Sequence, residues 1–387
     1  MSSERIVSSP VRSASLLAMA FILVSCGGDG EVRSSKTTSV TGATESATGS
    51  SSPVTVAATP TTESSSTSSS THKPAPTPII APDVAVPRFA MPNIAPPALP
   101  NWLAYETPQT IYSTDHSVDV SKIKIEGGAI LLRADEVSSL VMSNIVAREF
   151  GPIMRGRSLE YITVDRIAAS RAKANKTYGM GIINTTGGFL TAVMQDLVFQ
   201  GDTASPAPNA AEAWAAIALK GKTSADTGNF TIDRFDFRDL WMASGSQYEN
   251  VDGISTERGY TGTIQNGRIV NASDACLDIK GDVTVDNVYL ENCREGIKLW
   301  SSQSHGLIEM GTHRFAAIIA KGGSSNASSV YIETLVLTGA PTVPAFRAEG
   351  GPVTLTIGTL VADPNQVLNA SSSYAGSSVK VLNRIDI

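Results

Sequence analysis

The chain has 387 residues, a formal net charge of −6, 42% hydrophobic residues and 17% charged ones. Its mild acidity and the lack of a basic block argue against nucleic acid as a partner. CxxC, HExxH, P-loop and dinucleotide fingerprints are absent, so any cation would be a hard one held by oxygen.

Residues 1–26 read as a processing signal. Arg5 and Arg12 give a positive start, and residues 14–24 form an apolar run too short to span a bilayer. Residues 23–26 then follow the bacterial lipoprotein pattern, in which Cys26 is acylated and becomes the new N-terminus. An ordinary cleaved signal with an incidental Cys is the alternative. Gly27 follows, with no Asp to mark inner-membrane retention. The expectation is an outer-membrane lipoprotein, periplasmic or surface-facing, that touches the membrane only through its lipid.

Residues 27–100 read as a disordered linker. Residues 34–71 are mostly Ser, Thr, Gly and Ala and cannot bury a core. Residues 73–100 turn to Pro and Ala, which favours stiffer extended chain. Roughly seventy residues of such spacer reach on the order of 50 Å.

Residues 101–387 carry a repeated strand pattern. Segments 140–146, 161–167, 230–235, 261–269, 282–288, 306–310, 329–335, 352–360 and 378–383 alternate apolar and polar residues, rich in β-branched types. Anchors fall near 143, 165, 195, 232, 264, 285, 308, 332, 356 and 380, and the last five steps are about 21 to 24 residues. A second strand follows in each repeat, as at 252–256, 276–280, 296–300, 317–321 and 345–349. Two strands per step of this length predict an all-β fold: a single-stranded, right-handed parallel β-helix of about ten coils. Longer early steps imply inserted loops at 203–209 and 244–250.

Stacked coils bring residues some twenty positions apart side by side. Phasing the second strands on Ile254, Leu277, Ile297 and Ile318 puts Asp252, Ala275 and Glu295 in one column. Val251, Asp274 and Arg294 form the next, and Ser255, Asp278 and Lys298 a third. Asp252, Asp274 and Glu295 then converge, at separations from somewhat over 5 Å to roughly 10 Å. That bracket includes the carboxylate spacing of inverting glycoside hydrolysis. Acidic residues at coil turns also cap backbone groups, so a structural role is the alternative. Arg155, Lys220, Lys280 and Lys321 each precede a Gly and form a second row, either solvated turn residues or a rail for an acidic polysaccharide. His305 falls in the other strand by phase and is set aside. Cys276 and Cys293 come out of register on neighbouring coils, so two separate buried thiols are expected rather than a disulfide.

Residues 250–321 resemble the polygalacturonase-type glycoside hydrolases of the pectin lyase-like superfamily. Asn250, Asp252 and Gly253 match that family's N-T-D-G motif, and residues 273–280 resemble its G-D-D-C-I-A-I-K motif, Cys276 and Lys280 included. Residues 294–297 and 319–321 stand where its G-H-G-I and R-I-K motifs belong. The resemblance implies Asp274 as general acid, Asp252 as a water-activating base and Lys321 as a binder of the substrate carboxylate. Ala275, Glu295 and Ile319 depart from the pattern, standing where the family has Asp, His and Arg. Glu295 lies one rung from Ala275 and is placed to supply the missing carboxylate.

Three functions follow. The first is a glycoside hydrolase on an acidic polysaccharide, with Asp252, Asp274 and Glu295 catalytic and Asn250, Asp278, Lys280, Lys298 and Lys321 binding. It needs no metal or cofactor. The second is a uronate lyase or epimerase with Lys280 or Lys298 as base and Ca2+ on Asp252, Asp274 or Asp278. The third is a non-catalytic glycan-binding or structural surface module. Oligomeric state is not legible.

Overall fold

The computed structural model describes residues 85–387, apart from 108, 114, 129, 174–178, 205–213, 222, 224, 242–249 and 324–327. The signal at 1–26 with Cys26, the linker up to residue 84 and most of the two inserted loops lie outside the described residues.

The strands in chain order begin β1 (Ile111–Ser113), β2 (Ser117–Glu126), β3 (Leu132–Asp135), β4 (Ser139–Arg148), β5 (Met154–Arg157), β6 (Tyr161–Ala172) and β7 (Ile183–Thr186). They continue with β8 (Thr191–Gly201), β9 (Trp214–Lys220), β10 (Gly228–Leu240), β11 (Val251–Thr256), β12 (Tyr260–Ala272), β13 (Ala275–Ile279) and β14 (Asp282–Glu291). The last are β15 (Glu295–Leu299), β16 (Gln303–Met310), β17 (Ala316–Lys321), β18 (Ser328–Leu337), β19 (Phe346–Glu349), β20 (Val353–Ala362) and β21 (Ser378–Asp386).

Odd-numbered strands β1 to β19 make one parallel sheet of 10 strands, and the even-numbered strands with β21 make a parallel sheet of 11. Up to β18 each strand pairs with the strand two further on, and β20 pairs with β21, which is a right-handed parallel β-helix. A strand buried on one face stacks like residues on like. Ile217, Ile254, Leu277, Ile297, Ile318 and Phe346 form such an inward column and are fully buried.

The long strands bend. In β4, Met142 and Ile145 are both buried although alternation would send one of them outward. Asn144 between them has φ 53°, a left-handed turn that resets the phase. Lys122, Arg166, Asp196, Arg234, Asn266 and Asn287 repeat this conformation at the same level of their coils. Asn tolerates it best, because its amide bonds locally. Here Asn287 Nδ2 donates to Asn266 Oδ1 at 2.8 Å, and Asn266 Nδ2 to Asp233 Oδ1 at 2.8 Å.

The structure corrects two sequence expectations. The register sets Ile332 against His305 and Ile357, not against Ile308 and Thr356. Coil length varies at the turns, and a fixed step cannot see that. Cys276 and Cys293 are joined in a disulfide, with Cα atoms 5.6 Å apart. Ala275 pairs with Glu295, so Cys276 is indeed level with Gly296 rather than Cys293. Cys293, however, lies in the corner before β15, after Asn292 at φ 50°, and that corner folds it back toward Cys276.

The end of the Pro-rich stretch lies on the helix. Arg88 forms a two-pronged ion pair with Glu309 at 2.9 and 2.5 Å, and Phe89 N–H donates to the same carboxylate at 3.0 Å. Ala90, Ala95 and Ala98 N–H groups donate to Asn287, Asp196 and Asn144, all in the bend column. Ten residues at the polyproline rise of about 3.1 Å cover about 31 Å. The six rungs from β16 to β4 span about 29 Å. The strap runs along the helix axis because the two repeats match.

Candidate active site

Four carboxylates and one ammonium meet on the outer face of β11, β13 and β15. Asp252 is near the start of β11, and its Oδ1 accepts the Ala275 N–H at 3.0 Å, locking it across one rung. Asp274 ends the turn before β13. Glu295 opens β15 in the column of Asp252 and Ala275. Asp278 and Lys298 are direct neighbours in the next outward column, level with Ser255.

Lys298 sits at the centre. Its Nζ donates to both Asp274 oxygens at 2.8 and 2.7 Å and lies 3.7 Å from Glu295 Oε2. Trp300, two residues on, donates Nε1–H to Asp278 Oδ1 at 2.6 Å. Asp252 and Glu295 are each only 2% exposed, Asp274 7% and Asp278 9%. Arg294 lies 3.3 Å from Glu295 Oε1 and Lys280 3.8 Å from Asp278 Oδ2, so with Lys298 three cations face four carboxylates in a dry place, and burial favours retained protons.

The protonation pattern follows from that shortage. Burial pushes the Asp252 carboxyl well above its usual range, and repulsion from Asp278 and Asp274 adds to it. Burial raises Asp278 too, against the pull of Lys280. Glu295 is pushed up to about 7 by burial, partly opposed by Lys298 and reinforced by a hydrogen bond with Asp274. Burial alone would favour neutral Lys298, but Asp274, Asp252 and Glu295 outweigh it and raise its pKa. Ala275 stands between Asp252 and Glu295 in their column and is fully buried.

The remaining expected binders lie around Trp300. Lys280 pairs with Glu257 at 2.7 Å and stands 5.7 Å from the Trp300 ring centroid. Lys321 lies 4.3 Å over the same ring and pairs with Glu349 at 3.2 Å. Asn250 directly precedes β11 and is partly buried. Sequence reasoning passed over Trp300 and Glu257. Both were legible, since Trp300 follows Lys298 by two and so shares its outward face. A cleft of about 400 Å³ lined by Ser158, Glu160, Phe189, Leu190 and Asp226 among others lies elsewhere and holds no comparable cluster. The chemistry is therefore sought at the carboxylates.

No protein-family model matches the chain, and no characterised protein or solved structure matches it either.

Proposed function

We propose that this is a polysaccharide-acting protein of the pectin lyase-like kind, a glycoside hydrolase on an acidic glycan, held at the outer membrane through Cys26. One observation carries the reading. Two acidic positions share one column about two rungs apart, with a proton retained near neutral pH at one of them. In this scheme Glu295 holds the proton and gives it to the leaving glycosidic oxygen as the C–O bond breaks. Asp252, whose burial favours its protonated form, must first lose its own proton; it then takes one from the attacking water, whose oxygen bonds to the sugar carbon. Two rungs place Asp252 and Glu295 on the order of 10 Å apart at the backbone. The family resemblance puts the acid on Asp274, but Lys298 bonds both of its oxygens, and the raised carboxyl is that of its neighbour Glu295.

Lys298 speaks against a lyase that uses it as base, because its neighbours make it hold its proton. It also occupies the place among the carboxylates where Ca2+ would sit.

A non-catalytic glycan-binding role is the second reading. It is favoured by the near-complete cover over Asp252 and Glu295. Release of reducing ends from polygalacturonate by the native chain, and its loss in Glu295→Gln and Asp252→Asn variants that remain folded by circular dichroism, is the expected result. Equal release by those variants would reject the assignment.

A further inference from the structure

At the other end of the odd-numbered sheet, the same outward column begins with Tyr112, Arg133, Arg155 and Asn184. Arg133 and Arg155 are direct neighbours on adjacent rungs. Like charges side by side on a sheet repel, and an alternating pattern would relieve them at no cost. The next outward column adds Asp135 and Arg157, again direct neighbours. Arg157 donates to both Asp135 oxygens at 3.2 and 2.9 Å, and Arg133 lies 3.4 Å from the same carboxylate. Glu136 also faces Arg157. Arg157 and Arg133 thus share Asp135, and Arg133, Asp135, Arg155 and Arg157 line a cleft of about 180 Å³.

The row has a second feature. Tyr112, one rung below Arg133, is 70% exposed, an aromatic ring left in water beside cations. Asn184, one rung beyond Arg155, adds an amide. A guanidinium fits a carboxylate or a sulfate with two parallel hydrogen bonds. An exposed ring packs against the apolar C–H face of a pyranose. We propose that this row, Tyr112, Arg133, Arg155 and Asn184 with Arg157 beside it, binds an anionic sugar residue of a glycan lying along the helix axis. The column runs on to Asp278, four rungs beyond Arg155 and about 19 Å away, and to Lys298 one rung further. A chain of several sugars held here reaches the carboxylates. That link rests on the hydrolase reading; the binding does not.

The test is calorimetric titration of the full chain with oligogalacturonate, its methyl ester and a uronate-free sulfated galactan of matched length. The native chain should bind at least one anionic glycan about tenfold or more tighter than the ester. Arg133→Ala/Arg155→Ala should erase that preference. Tyr112→Ala, which removes an exposed ring and spares the fold, should weaken all binding while keeping the preference. Tighter galacturonate or tighter sulfated galactan assigns the row to carboxylate or to sulfate, and either supports it. No preference in the native chain, or a preference that survives in the double-arginine variant, overturns the proposal. Arginine-dependent binding by a chain that releases no reducing ends supports this site and removes only the hydrolytic reading.

Discussion

The ammonium of Lys298 lies within 2.8 Å of both oxygens of Asp274, one coil away, and this pair organises the carboxylates around it. A buried charge pair is costly to halve. Replacing Lys298 with Met leaves Asp274 among three other acids, in a site with little water. Chemical denaturation at neutral pH should show a loss of about 3–5 kcal/mol, the range for breaking a buried pair. The loss should shrink at pH 4, where the acids take up protons. A loss that is the same at both values contradicts this account.

Glu295 makes the native protein sensitive to pH in a stated direction. Its folded pKa is raised from 4.5 to about 7. Such a group adds stability that is complete below about 4.5 and disappears as pH rises through about 7. The amount is about 3 kcal/mol. Urea unfolding at pH 5 and pH 8 should therefore favour pH 5, and Glu295→Gln should flatten the difference.

The same proton sets the expected activity profile. If Glu295 donates it, turnover of an acidic glycan should fall as pH rises past about 7. An activity that climbs steadily to pH 9 assigns the proton donor elsewhere.

The strap should come away when Arg88 is lost. Glu309 is held below the usual carboxylate range: burial opposes ionisation, and the Arg88 and Phe89 hydrogen bonds overcome it. That stabilisation is present above the unfolded pKa and is lost as acid lowers the pH through the folded one. Arg88 is half exposed, so Arg88→Ala should cost at most about 1 kcal/mol globally. Limited proteolysis between residues 88 and 98 should nevertheless speed up markedly, and unchanged cleavage counts against the docked strap.

Cys276 and Cys293 should resist alkylation until a reductant is added, and mass spectrometry reads this directly. The bond closes a loop with a sequence separation of 17. Changing both to Ser should cost about 3 kcal/mol.

Much of this protein was legible without coordinates. Alternating apolar residues fix which face of a strand is buried, and a one-residue slip would expose every one of them. That is why Asp252, Ala275 and Glu295, and likewise Ser255, Asp278 and Lys298, could be aligned from Ile254, Leu277 and Ile297 alone. The disulfide, the His305 register and the strap could not be read this way. They depend on how each corner turns, as with Cys293 after left-handed Asn292, and corners have no period. The electrostatics were hidden for a related reason. Sequence lists four acids and a lysine, whereas their protons depend on how little water reaches them, and only the packed coils set that.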